Sequence, residues 1–334
     1  MDGNSYYYNG YTPIPYFMYE KKQLKRTVAR VSLTVILMLI GMRYCMSLLV
    51  TTLAFCGVLD MSQLSQPLAG LDSTSYLLLS SVARLAFMLL PLLIASLFFG
   101  RAPASVSAPR PLKGRDVFFG ILVGMGVFIL ANYVANFILI FLQSFGVEPP
   151  EFPSFMDTSV TSLLCNLFAL AVLPAVLEEL AFRHTILRLL RPYGDGFAVL
   201  ISALLFGLVH GNVTQVPFAT IGGLALGWLY VKSDNLMLPI TVHFANNALA
   251  TVLEYCDLFL TDKQAMVFHL VVYALIVLIA VISVIILAAK RSELLRANPR
   301  RTGLTVGRRV GTMLTSVLFW LMTAMLIYQL VRSL

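Results

Sequence analysis

Two adjacent carboxylates, Glu178 and Glu179, and the arginine at Arg183 follow an apolar run, 163–177, that holds no charge. Ionisable groups inside such a run are expensive, so they face a cavity or a partner and mark function. On a helix Glu179 and Arg183 are i and i+4, close enough to pair. Glu178 is then turned by about 100° from Glu179 and is free to address another neighbour. The four histidines are His184, His210, His243 and His269. His210 follows Phe206 by one helical turn, and His243 precedes Asn247 by one turn.

These residue types allow several chemistries. A glutamate and a histidine can together take a proton from water. A histidine and an amide can donate hydrogen bonds to a developing oxyanion. Glu178, His210 and His243 could instead be three ligands of a catalytic zinc ion, Zn2+, with a fourth position open. No HExxH motif decides between them, and the metal question stays open at this stage. A proton or ion relay in a transporter also uses buried Glu and His. The hydropathy pattern shows no inverted repeat and no matching pair of broken helices to support it. A packing network explains any one of these residues, but it does not require all of them at one depth.

Their depth depends on the elements that carry them. The sequence has 334 residues, 59% hydrophobic and 12% charged, with mean hydropathy +0.84. Soluble domains carry about 25% charged residues, so the composition implies an all-α, polytopic membrane bundle in a lipid bilayer. The pattern predicts spans over 31–57, 75–99, 117–143, 161–182, 196–211, 214–231, 236–256, 265–289 and 310–331. The fourth is expected to continue as helix to Arg191, and the fifth is short. Residues 1–30 read as a cytoplasmic tail, 31–157 as the first three spans, 158–257 as the polar core and 258–334 as C-terminal spans. Tyr6–Tyr19 reads as a disordered or interfacial stretch.

Most of the 24 lysines and arginines fall on alternate connections, while Lys263 and Arg332 are the loop residues against the alternation. The opposite loops carry Asp60, Asp72, Glu148, Glu151, Asp157, Asp257 and Asp262. That asymmetry predicts a cytoplasmic N-terminus. The net charge of +8 is spread over these loops and is not a nucleic-acid signal. If the fourth helix runs to Arg191, Glu178 lies thirteen residues, about 20 Å, from its end. His210 is about 21 Å and His243 about 16 Å from their own cytoplasmic ends. The polar groups are thus expected at one level of the bilayer.

Other features read as packing. Gly120 with Gly124 and Gly223 with Gly227 share faces that allow close helix approach. Asn132 and Asn136 read as interhelical hydrogen-bond partners, and Arg43 and Arg84 as paired or snorkelling arginines. Cys45, Cys56, Cys165 and Cys256 read as packed thiols. His184 is expected at the interface and His269 as a polar residue of the eighth span.

At its polar residues the chain resembles the CPBP family of CAAX proteases and bacteriocin-processing or self-immunity (Abi) proteins. The family signature is EExxxR, FxxxH and HxxxN on successive membrane helices. Here these are Glu178-Glu179-x-x-x-Arg183, Phe206-x-x-x-His210 and His243-x-x-x-Asn247, in order, within residues 160–255. The resemblance implies an intramembrane endopeptidase in which Glu178 and His210 activate water and His243 with Asn247 holds the oxyanion. Glu179, Arg183 and Phe206 would support the site. It implies a hydrophobic or lipidated peptide or protein substrate, reached from the cytoplasmic side or laterally, and a bacterial cell membrane as location. A glutamate-dependent scheme and a zinc metalloprotease both agree with the motifs, and a non-catalytic immunity or scaffold protein is the alternative.

Overall fold

The computed structural model describes residues 6–8, 13–60, 62, 70–99, 112–147, 156–296 and 302–333. Long apolar runs without water to bond to must satisfy their backbone internally, so they fold as helices. The helices are α1 (Tyr16–Phe55), α2 (Ser73–Phe99), α3 (Gly114–Gln143), α4 (Val160–Tyr193), α5 (Asp195–Val209) and α6 (Gln215–Ser233). They continue as α7 (Met237–Asp257), α8 (Asp262–Ala289), α9 (Val306–Leu314) and α10 (Val317–Val331). Among the described residues the remaining regular pairing is one antiparallel strand pair, Tyr6–Tyr8 with Pro13–Pro15. The chain is an all-α helical bundle and an integral membrane protein.

Eight or nine spans were expected; among the described residues length and apolarity support five, or six if α9 and α10 count as one. α5 has only 15 residues, about 22 Å of helix. α7 carries the polar residues of the site, which dilute its apolarity. The expected span 310–331 is broken at Thr315 and Ser316, and α9 meets α10 at 81°. Of the acidic loop residues, Glu148 and Glu151 lie outside the described residues.

The tail reading also changes. α1 starts at Tyr16, and Leu24, Val28 and Val31 form a buried stripe along it. Glu20 bonds to Thr302, Thr27 to the Tyr193 hydroxyl at 3.1 Å, and Arg309 donates to the Tyr193 carbonyl at 2.7 Å. The start of α1 is therefore tied to the end of α4 rather than loose.

The glycine faces pack as expected. A Cβ on Gly124 would stand 2.7 Å from Val242 of α7, and one on Gly223 would stand 3.1 Å from Phe206 of α5. Asn132 and Asn136 do not bond across helices among the described residues, and Asn136 is exposed. The buried face of α3 instead carries Ala131 and Ala135, one residue earlier. Cys56, Cys165 and Cys256 are free thiols.

Candidate active site

α4 begins at Ser159, whose side chain accepts from the Ser162 amide at 3.0 Å. It then alternates between α and π turns, with π segments at Leu167–Val172 and Leu180–Leu187 flanking the α turns Leu173–Glu179. Such π turns inside helices recur at functional sites. Here they bracket the two carboxylates. The helix runs unbroken to Tyr193, as the depth argument required.

Glu179 and Arg183 form the expected pair at 2.8 Å, with both side chains fully buried. Arg183 also donates to the Gly223 carbonyl at 3.1 Å, and its guanidinium lies 4.5 Å from the centre of the Phe206 ring. The same Glu179 oxygen receives the Nδ1 of His243 at 2.9 Å, a contact that motif spacing did not reveal. That oxygen already accepts from Arg183, so in this contact Nδ1–H of His243 is the donor. Glu179 Oε2 and Arg183 Nε have no hydrogen-bond partner among the described residues.

Glu178 faces elsewhere. Its side chain keeps 16% exposure, and Oε2 stands 3.8 Å from Nε2 of His243. It borders a cavity of about 680 Å³ whose wall also includes Phe206, His210, His243 and Asn247. The structure thus brings the residues of all three motifs together, with Glu178, His210, His243 and Asn247 on one cavity and Glu179 with Arg183 behind it.

Each facing group has a defined orientation. His210 caps the end of α5, where Gly211 takes φ +63° and stops the helix. Its Nδ1 is 2.7 Å from the Phe206 carbonyl, an acceptor, so Nδ1 donates and, in the neutral ring, Nε2 is the nitrogen with the lone pair. Gln329 of α10 donates to the Val209 carbonyl at 3.3 Å, and so braces this helix end. Asn246 donates to Oδ1 of Asn247 at 3.0 Å. Nδ2 of Asn247 then donates to the Leu170 carbonyl at 3.1 Å and keeps a second N–H. The Leu170 carbonyl is free for this because Pro174, four residues on, has no N–H.

Aromatic rings pack the constellation. Phe206 meets His210 edge-on at 5.0 Å and His243 at 5.9 Å. Phe128 of α3 stacks on His243 at 6.4 Å. Sequence reasoning missed Phe128, since nothing in its local pattern separates it from the lipid-facing phenylalanines. It also missed Gln215 and Asn166, which line the cavity. The wall follows α4 along Asn166, Leu170, Pro174, Glu178 and Phe182, at one-turn spacing. From Glu178 it extends towards the Val160 end of α4.

Among the described residues no three of His, Cys, Asp and Glu stand together as ligands for an ion. Glu178, His210 and His243 share a cavity without forming a coordination set, and His243 Nε2 is the nitrogen nearest Glu178. As placed among the described residues, these side chains do not fit a bound zinc.

Residues 160–249 match the family described as type II CAAX prenyl endopeptidase Rce1-like. Through this segment the chain is similar to the CPBP/CAAX proteases. The CAAX-type segment ends two residues beyond Asn247 and contains every motif residue. A Bacillus subtilis (strain 168) protein named "Putative membrane peptidase YdiL" is 22% identical over 134 residues, 40% of this chain and 54% of that protein. The chain thus spans about half the length of the curated relative it matches. No solved structure matches it.

Proposed function

We propose that the chain is an intramembrane endopeptidase that hydrolyses a peptide bond in a hydrophobic or lipidated peptide or protein. The observation that carries this reading is the division between the two carboxylates. Glu179 is held by Arg183 and His243, whereas Glu178 opens onto the cavity that His210 also faces. The family of residues 160–249 and the name of the Bacillus relative agree with a peptidase.

In this reading a water lies between the Glu178 carboxylate and Nε2 of His210. It gives up a proton as its oxygen bonds to the scissile carbonyl carbon, and the carbonyl π pair moves onto oxygen. The free N–H of Asn247 and Nε2–H of His243 donate to that oxyanion. Donation from Nε2 requires a doubly protonated ring, because Nδ1 already donates to Glu179. Glu178, Glu179, Arg183 and such an imidazolium carry two charges of each sign, so the buried cluster is neutral overall. When the C–N bond breaks, its electron pair goes to nitrogen, which receives the proton taken from water. The proposed setting is a bacterial cell membrane, with the N-terminus cytoplasmic.

The test compares membrane-peptide termini in cells making wild type or Glu178→Gln at equal, folded levels. New termini that require Glu178 are expected. Identical termini in both would overturn the peptidase reading in favour of an immunity or scaffold role.

A further inference from the structure

We propose that Arg84 is a specificity residue that holds an anionic group of the peptide occupying this cavity, a carboxylate in the first instance. The inference deepens the peptidase reading and rests on it for the identity of the occupant. Arg84 lies on α2, outside the segment that matches the family. The sequence suggested a structural ion pair or snorkelling for it. No ion pair is found among the described residues: Arg84 is half-buried, lines the cavity with Glu178, and makes no hydrogen bond there. Every other buried or half-buried guanidinium near the core has partners, as Arg183, Arg191 and Arg309 do.

An arginine costs free energy at membrane depth, and one held against a cavity without a protein partner is matched to something that enters. Its planar fork suits a carboxylate, which it can bind through two parallel hydrogen bonds. In the alternating topology α2 and α4 run in the same direction. Arg84 is eleven residues from Ser73 and Glu178 eighteen from Val160. If the two helix starts are level, Arg84 sits about 10 Å from Glu178 along the axis, towards the Val160 end. The wall extends in that same direction, through Pro174, Leu170 and Asn166. An extended peptide with its scissile bond at Glu178 could therefore lay an anionic group against Arg84. Glu254 also borders this end, so it disfavours a carboxylate placed beyond Arg84 and sharpens the position.

The experiment measures binding, so that it does not depend on turnover. Full-length Glu178→Gln protein in phosphatidylcholine nanodiscs is titrated with a labelled Leu/Val-rich peptide ending in a free carboxylate. Two companions are the same peptide as its carboxamide, and the carboxamide with one Glu near its end. The carboxylate peptide is expected to bind about tenfold more tightly than the carboxamide, the scale of a charged hydrogen bond. Adding Arg84→Gln should remove that preference, and Arg84→Lys should restore part of it. The Glu-containing peptide tells a side-chain carboxylate from a terminal one. The thermal midpoint of Arg84→Gln should stay close to the parent's value, because no hydrogen bond or ion pair among the described residues is lost, whereas a structural arginine would lower it. Equal binding of all peptides, or none, overturns the proposal, as does a preference that survives Arg84→Gln. An effect of Arg84 confined to phosphatidylglycerol nanodiscs would assign it to a lipid phosphate and also overturn it. Failure of the peptidase reading would show separately, as absence of cleavage of these peptides by the protein with Glu178 intact.

Discussion

On one side of α4, Glu179 takes hydrogen bonds from Arg183 at 2.8 Å and His243 at 2.9 Å and is closed off from solvent. One residue earlier, Glu178 borders a cavity and stands 3.8 Å from the nearest nitrogen of His243. The chemical group is the same, and a rotation of about 100° separates the two environments. A carboxylate whose charge is offset on the spot orients its neighbours and has little capacity left for a substrate. A carboxylate with room beside it can hold water and take a proton. The adjacency of the two is what lets one helix both brace the site and serve it.

The largest effect should come from the open side. Glu178→Gln keeps the size of the side chain and removes the base, so cleavage should fall by about 10²–10⁴-fold. The thermal midpoint should change less than for Glu179, since the ion-pair contact of Glu178 is the longer one, 3.8 Å to Nε2 of His243. An active Glu178→Gln protein would break the comparison outright.

The closed side should respond in the opposite sense. Glu179→Gln leaves Arg183 charged in a site with no exposure, and such a loss costs about 3–5 kcal/mol. A thermal or denaturant melt of the purified variant should show that loss as a lower midpoint. Activity should fall as well, because Nδ1 of His243 loses its anionic acceptor. A variant as stable as wild type would mean that Arg183 is held by Gly223 and Phe206 alone.

Asn247→Ala tests the groups between the two sides. Removing one oxyanion donor costs about 10²–10³-fold in kcat. The change also strips the Leu170 carbonyl of its donor, at about 1 kcal/mol of stability. KM should move less than kcat, since the amide acts on the transition state. A variant altered in stability but not in kcat would reduce Asn247 to a clasp on α4.

Much of this division was legible in the sequence. The i,i+4 spacing of Glu179 and Arg183 forecast their pairing, and the equal depths of Glu178, His210 and His243 forecast their convergence. Both rest on helical periodicity, which is local. What the sequence did not carry depends on contacts between distant segments. The Glu179–His243 bond joins residues 64 apart, and the Asn247–Leu170 bond residues 77 apart. The second is readable only once Pro174 is seen to leave that carbonyl free. The packing of Glu20 and Thr27 against 193–309 turned an expected tail into part of the bundle. The 81° break before Val317 likewise depends on how α9 packs, since the run 310–331 is apolar enough to read as one span. Arg84 shows the same limit, because a charge in a span looks alike whether it meets a partner or a cavity.

The smallest expected effect is the response to a chelator. If Glu178 and His210 activate water by themselves, activity should be unchanged by EDTA or 1,10-phenanthroline. The orientation of His210 is relevant, since Nδ1 is committed to the Phe206 carbonyl and only Nε2 faces the cavity. His243 is similarly committed through Nδ1 to Glu179, so each ring offers one nitrogen. Two single nitrogens and a carboxylate could bind an ion only if they closed on a common point, and no such group stands among the described residues. Loss of activity with a chelator, restored by added zinc, would show that the cavity contracts around a metal. The open side of α4 would then be a ligand set, and Glu178→Gln would lower metal content as well as rate.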